Sequence, residues 1–158
     1  MVGILFGSRS DTERMKAAAR CLDEFGVPWE AHVLSAHRVP EELEKRLAAM
    51  EESGVKVYIC GAGLAAHLPG VVASKTVRPV IGVPLSAKLD GIDALYSIVQ
   101  MPKPIPVATV GIDNAFNAGM LAVQMLALAD EDLAARLSDW RSGMKEEFIA
   151  DNGGGVAL

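Results

Sequence analysis

Histidine is the side chain whose ordinary charge change lies nearest neutral pH. A histidine in a loop at the end of a strand is therefore a candidate acid or base. Three histidines occur here, and two stand in such places. His37 lies in Ser35-Ala36-His37-Arg38, and His67 closes Gly61-Ala62-Gly63-Leu64-Ala65-Ala66-His67. Arg38 adds a permanent cation suited to a phosphate or a carboxylate. Near the start of the chain, Gly7-Ser8-Arg9-Ser10-Asp11 offers N–H and O–H donors to an anion at a helix N-terminus. Asp11 could accept from ribose hydroxyls. Together these residues suit a phosphorylated small molecule with an acid/base group beside it.

Each motif also has a purely structural reading. Ser10 and Asp11 are good helix caps, and Ser10 with Glu13 has the spacing of a capping box. His67 has apolar neighbours, where a lone histidine is often a core group. His32 falls inside a strand pattern and is read as structural. The small residues Gly61, Ala62 and Gly63 would let backbone approach a flat ligand closely. No metal or cofactor is expected, because the three histidines and two cysteines lack ligand spacing. The first loop is neither a Walker motif nor Gly-x-Gly-x-x-Gly, and Gly-x-Ser-x-Gly is absent.

These loops need strands to hold them, and strand-like runs precede each one. The pattern predicts strands over residues 2–6, 29–34, 55–60, 79–83 and 107–110. Helical spacing predicts helices over 12–25, 40–53, 91–100, 114–128 and 133–148. Across 64–76, Pro69-Gly70 implies an irregular or late-starting helix. Five strands alternating with helices imply an α/β three-layer sandwich around a parallel sheet, with a flavodoxin-like strand order favoured. In such a sheet the three loops gather at the carboxyl edge of the strands. The loops after the fourth strand, 84–106, hold few reactive groups and are read as a wall or lid. The last helix is a C-terminal extension, free to cover its own sheet or clasp a neighbour. Residues 1–150 form one domain, and 151–158, with three consecutive glycines, read as a disordered tail.

Length and composition set the outer bounds. A chain of 158 residues can bury one real core. Apolar residues make up 51% of it while aromatics are only 5%, which suggests apolar surface covered by other subunits. The net charge is −5 with no basic run, so nucleic-acid binding is not expected. No apolar segment is long enough to span a membrane. Met1 opens directly into a strand pattern, so no secretory leader is expected. Cys21 and Cys60 look like buried, reduced thiols of a cytoplasmic protein.

The ordered set of motifs resembles the PurE family. It comprises Gly7-Ser8-Arg9-Ser10-Asp11, Ser35-Ala36-His37-Arg38, Gly61-Ala62-Gly63, Ala65-Ala66-His67-Leu68-Pro69-Gly70, Gly82-Val83-Pro84 and Ser97-Ile98-Val99-Gln100-Met101-Pro102. The resemblance spans nearly the whole chain. It implies a flavodoxin-like homo-octamer of de novo purine biosynthesis acting on a ribonucleotide. His67-Leu68 after paired alanines, and Arg38, resemble the mutase branch, which moves a carboxylate from an exocyclic nitrogen to an imidazole carbon. The resemblance implies that His37 is the acid/base and that Ser8, Ser10 and Arg38 surround the phosphate. It implies further that Asp11 meets the ribose and His67 lies near the base and carboxylate. Ser35, Gly61, Ala62, Gly63 and Leu68 complete the expected substrate site.

Two departures accompany it. Leu64 stands where the family usually has a second glycine, and Lys103-Pro104 where paired glycines are common. If position 64 needs a positive φ, leucine is strained there by about 1–2 kcal/mol. If it needs only closeness, the side chain would crowd the ligand or turn into the core. Two other functions compete with the mutase. One is a carboxylase using CO₂ directly; the other is a non-catalytic nucleotide- or flavin-binding module.

Overall fold

The computed structural model describes residues 1–155, and its chain forms one five-stranded parallel sheet. The strands are β1 (Val2–Phe6), β2 (Trp29–Val33), β3 (Val57–Gly63), β4 (Val80–Leu85) and β5 (Ala108–Thr109). The helices are α1 (Thr12–Glu24), α2 (Pro40–Glu52), α3 (Leu68–Ala73), α4 (Ile92–Val99), α5 (Ala115–Ala127) and α6 (Glu131–Asn152). The strand order is β2-β1-β3-β4-β5, the flavodoxin-like order. Every residue of β1 and β4 is buried, as strands covered on both faces must be. At the edge, β2 alternates between exposed and half-buried.

Side-chain alternation divides the core into two layers. Val2, Ile4, Phe6, Val57, Ile59, Ile81 and Val83 pack against α1, α5 and the start of α6. Leu5, Tyr58, Cys60 and Ala62 pack on the opposite face against Leu43, Leu47, Met50, Leu68, Ala94 and Ile98. Period-2 alternation assigns each strand residue to one layer or the other. Close approach of α1 and α5 requires Gly119, where a Cβ would stand 2.8 Å from the Cβ of Cys21.

The helix signals act in different ways. Pro40 opens α2, and Gly54 follows its end at φ +94°. Leu43, Leu47 and Met50 face inward as their spacing predicts. The helix expected across 64–76 starts late, with Pro69 in the first turn of α3. The capping box expected from Ser10 and Glu13 does not form. Ser8 instead caps a short 3₁₀ turn, Arg9–Asp11, by accepting from Ser10 N, and Glu13 pairs with Lys16. Folding back on its own chain, α6 starts where Asp130 accepts from Leu133 N at 2.9 Å. Trp140 then packs on Phe25 and donates to Glu24. The helix runs to Asn152, two residues into the segment read as a tail, and residues 156–158 lie outside the described residues.

Candidate active site

The carboxyl ends of β1, β2, β3 and β4 deliver four loops to one cavity of about 640 Å³. From the first loop come Gly7, Ser8, Ser10 and Asp11; from the second, Ser35, Ala36, His37 and Arg38. The third contributes Ala62 through Leu68, and the fourth Leu85, Ser86 and Ala87. Parallel strands of similar length produce this convergence, since all four chains leave the sheet in the same direction.

The first loop is tied to the second. Arg38 donates from Nη2 to the carbonyl of Gly7 at 2.6 Å, spanning from the loop after β2 to the loop after β1. Its own backbone N–H donates to Ser35 Oγ at 3.3 Å. Ser10 Oγ stands 2.9 Å from Ser8 Oγ, so the two hydroxyls share a small polar patch. Asp11 occupies the N-cap position of α1 but makes no side-chain cap bond. Its carboxylate is therefore left for the cavity rather than for the helix. Burial is the main cause that pushes the Asp11 carboxyl up; Arg14 and the Ser10 hydroxyl pull it back, and Asp113 adds to the rise.

The third loop is shaped by Leu64, which has φ 56°. This is the left-handed region, so of the two possibilities for this position the backbone takes the strained one. The leucine side chain points largely outward and is 52% exposed. Two tight backbone bonds follow, Ala66 N to Leu64 O and His67 N to Ala65 O, at 2.8 and 2.7 Å. They turn the chain into α3 and leave His67 at its N-cap, making no cap bond.

His67 then meets His37. His37 Nε2 and His67 Nδ1 are 2.7 Å apart, with the rings edge to face at 4.9 Å between centroids. Both side chains are exposed to the cavity, so His67 is not the core group that its apolar neighbours allowed. Behind them, Ala66 and Leu68 are buried and give the cavity an apolar floor.

Of the residues expected at a site, ten line this cavity together: Ser8, Ser10, Asp11, Ser35, His37, Arg38, Ala62, Gly63, His67 and Leu68. Gly61 is not among them. It lies within β3, and a Cβ there would stand 2.4 Å from Met15 Sδ, so its lack of a side chain makes room for α1. His32 is elsewhere, paired with Glu30 on the edge strand at 2.9 Å. Among the described residues, no three His, Cys, Asp or Glu side chains are grouped as metal ligands.

Sequence reasoning missed Arg14 and Asp113, while Ser86 and Ala87 fall within 84–106, the stretch read as a wall or lid. Asp113, at φ 57°, accepts from Ser86 N at 2.9 Å and from Ser86 Oγ. It also pairs with Arg14 Nε at 3.3 Å. Two signals were available. Arg14 stands three residues after Asp11 on one helix face, and Ser86 follows a strand just as Ser8 and Ser35 do.

Known proteins match this chain over nearly its whole length. A family model described as AIR carboxylase matches residues 1–147. The N5-carboxyaminoimidazole ribonucleotide mutase of Pyrococcus horikoshii is 53% identical over 148 residues, covering 93% of this chain and 84% of that protein. Its counterpart of the same name in Methanocaldococcus jannaschii is 53% identical over 152 residues, covering 96% and 95%. A crystal structure of PurE from Treponema denticola superposes with a TM-score of 0.88 at 30% identity, covering 96% of each chain.

Proposed function

The chain belongs to the AIR carboxylase family, the PurE family of its motifs, and from that premise we propose how its residues perform the mutase reaction. The substrate, 5-(carboxyamino)imidazole ribonucleotide, is the one in the relatives' name, and the proposed product is 4-carboxy-5-aminoimidazole ribonucleotide. The observation that carries the residue assignment is the contact of His37 Nε2 with His67 Nδ1 inside the four-loop cavity.

His37 is the acid and the base. It protonates the carbamate nitrogen, and the bond from that nitrogen to the carboxylate carbon breaks to give CO₂ and the aminoimidazole. Ring carbon 4 then attacks CO₂ through its own electron pair, and His37 takes the proton from that carbon. The proton is returned, so the step is balanced without a second reactant. One group serving both directions is the arrangement an isomerisation needs. His67 holds the imidazole of His37 through the 2.7 Å contact and borders the space for the carboxylate.

CO₂ must not escape between the two steps, which calls for a dry pocket. Ala62, Gly63, Ala66 and Leu68 supply its apolar wall. Ser8, Ser10 and Arg38 hold the phosphate, with Ser35 fixing the Arg38 backbone. Asp11 accepts from the ribose hydroxyls.

The working form is a homo-octamer in the cytoplasm. An apolar stripe on α4 supports assembly: Ile92, Tyr96 and Val99, with Leu89 just before, are all exposed on the single chain. Among the described residues no helix is long and apolar enough to cross a membrane.

The test is product formation from 5-(carboxyamino)imidazole ribonucleotide, beside aminoimidazole ribonucleotide with bicarbonate, each with wild type and His37→Asn. Turnover of the first substrate alone, lost in the variant, is the expected result. Turnover of the second alone would make the protein a carboxylase. Full activity in His37→Asn would overturn the role of that residue.

A further inference from the structure

Arg14 and Asp113 form a second group of charges that the reaction above does not use. Arg14 lines the cavity one turn along α1 from Asp11, on the same helix face. Its Nε forms an ion pair with Asp113 Oδ1 at 3.3 Å. Asp113 in turn gathers Ser86 N and Ser86 Oγ, joining the loops after β4 and β5 to α1. A non-glycine residue in the left-handed region, with two hydrogen bonds and an ion pair converging on it, is built to hold its carboxylate in one place.

The pair is not explained by stability. The two side chains are 42% and 36% exposed, and ion pairs at that exposure contribute little to folding. The Asp11 carboxylate, by contrast, needs help. It is partly desolvated, makes no cap bond and has Asp113 as a like-charged neighbour. Arg14 is the cation beside it; the other charged or titratable groups lining the cavity are His37, Arg38 and His67.

We propose that Arg14, braced by Asp113, is a positioning residue that keeps the Asp11 carboxylate charged and available to the ribose hydroxyls of the substrate. This rests on the mutase reading, since Asp11 must meet a ribose for the brace to matter. Arg14 does no chemistry on the imidazole. Its removal therefore acts on substrate binding, and most strongly at low pH, where Asp11 is easiest to protonate.

The experiment is the pH profile of KM and kcat for 5-(carboxyamino)imidazole ribonucleotide with wild type, Arg14→Gln, Arg14→Lys and Asp113→Asn. Arg14→Gln should raise KM about tenfold toward the acid end of the profile, with kcat within about twofold, and move the acid limb of kcat/KM to higher pH. Arg14→Lys restores the charge and should return the acid limb toward the wild-type position. Asp113→Asn removes a negative charge and by charge alone would favour ionised Asp11. It should nevertheless raise KM, because Arg14 loses its brace, and the double variant with Arg14→Gln should be no worse than Arg14→Gln alone. An acid limb unmoved in Arg14→Gln, with wild type active, overturns this inference and leaves the mutase reading standing. A fall in kcat with KM unchanged also overturns it. A wild type that does not convert the substrate overturns both.

Discussion

His37 Nε2 and His67 Nδ1 stand 2.7 Å apart although the two residues are 30 positions apart in the chain. At that separation one nitrogen donates and the other accepts, so a single proton lies between the rings. The contact exists because the loop after β2 and the loop after β3 leave the sheet in the same direction on either side of β1. It also needs the left-handed turn at Leu64, which directs the chain so that His67 begins α3 facing the cavity.

From this contact follows the effect of losing His67. In His67→Asn the His37 ring keeps its place in the loop but loses the partner that fixes its orientation. The expected loss in kcat is about three- to tenfold, the size of one hydrogen bond. Both residues are exposed, so the free energy of urea unfolding should change by no more than about 0.5 kcal/mol. Unchanged kcat in this variant would remove His67 from the mechanism.

Leu64 offers a gain in stability. A left-handed leucine is strained by about 1–2 kcal/mol, and the extra unfolded freedom of glycine takes back about 0.5–1 kcal/mol. Its side chain is 52% exposed, so little burial is lost. Leu64→Gly should therefore be more stable by about 0.5–1 kcal/mol in urea unfolding. Leu64→Val should be less stable than wild type, because β-branching tolerates that backbone worst.

Gly61 separates packing from binding. A Cβ at this position would fall 2.4 Å from Met15 Sδ in a core where Met15 is only 2% exposed. Gly61→Ala should cost about 1–3 kcal/mol through overpacking. Since Gly61 does not line the cavity, KM at a temperature where the variant is folded should match wild type. A raised KM with normal stability would return Gly61 to the site.

Much of this was legible in the chain because periodicity and punctuation agreed. All five strands, the late start of α3 and the gathering of Ser8, His37 and His67 at one edge follow from local pattern plus the rules of parallel sheets. The placements that local pattern does not give depend on contacts distant in sequence. Gly61 looked like part of a ligand-facing glycine run, yet its facing is decided by Met15 of α1. Asp113 lies 27 residues after Ser86 and 99 after Arg14, and no local signal joins them. The capping box failed for a local reason: Ser8 caps a preceding 3₁₀ turn, which moves the start of α1 past Ser10.

Alkaline pH should destabilise the fold. Burial first, then the charge of Glu24, pushes the Cys21 thiol from its ordinary 9.0 up to about 12. Burial, then Glu51, pushes the Tyr58 hydroxyl from 10.0 to about 12, and burial alone raises the Cys60 thiol. In each case the folded state keeps a proton that the unfolded state gives up, so stability is level below about pH 9 and falls as pH rises toward 12. Urea unfolding at a series of alkaline pH values measures this. At about pH 8 the native thiols should resist a disulfide-exchange reagent and react only after denaturation. Rapid reaction of the folded protein would show that these sites open.

The exposed stripe on α4 predicts the consequence of blocking assembly. Ile92, Tyr96 and Val99 recur at helical spacing, so they share one face of α4, with Leu89 beside them. Ala94 and Ile98 on the other face are fully buried, so the helix is already anchored and the outer stripe is free to meet another subunit. A charge at its centre would be desolvated in any interface formed there, while on the isolated chain Tyr96 is 62% exposed and tolerates polarity. Tyr96→Glu should therefore leave the fold intact and shift light-scattering mass from the proposed octamer to smaller species. If the variant keeps the wild-type mass, α4 does not face a neighbouring subunit. A wild type that is already monomeric would remove the octamer itself.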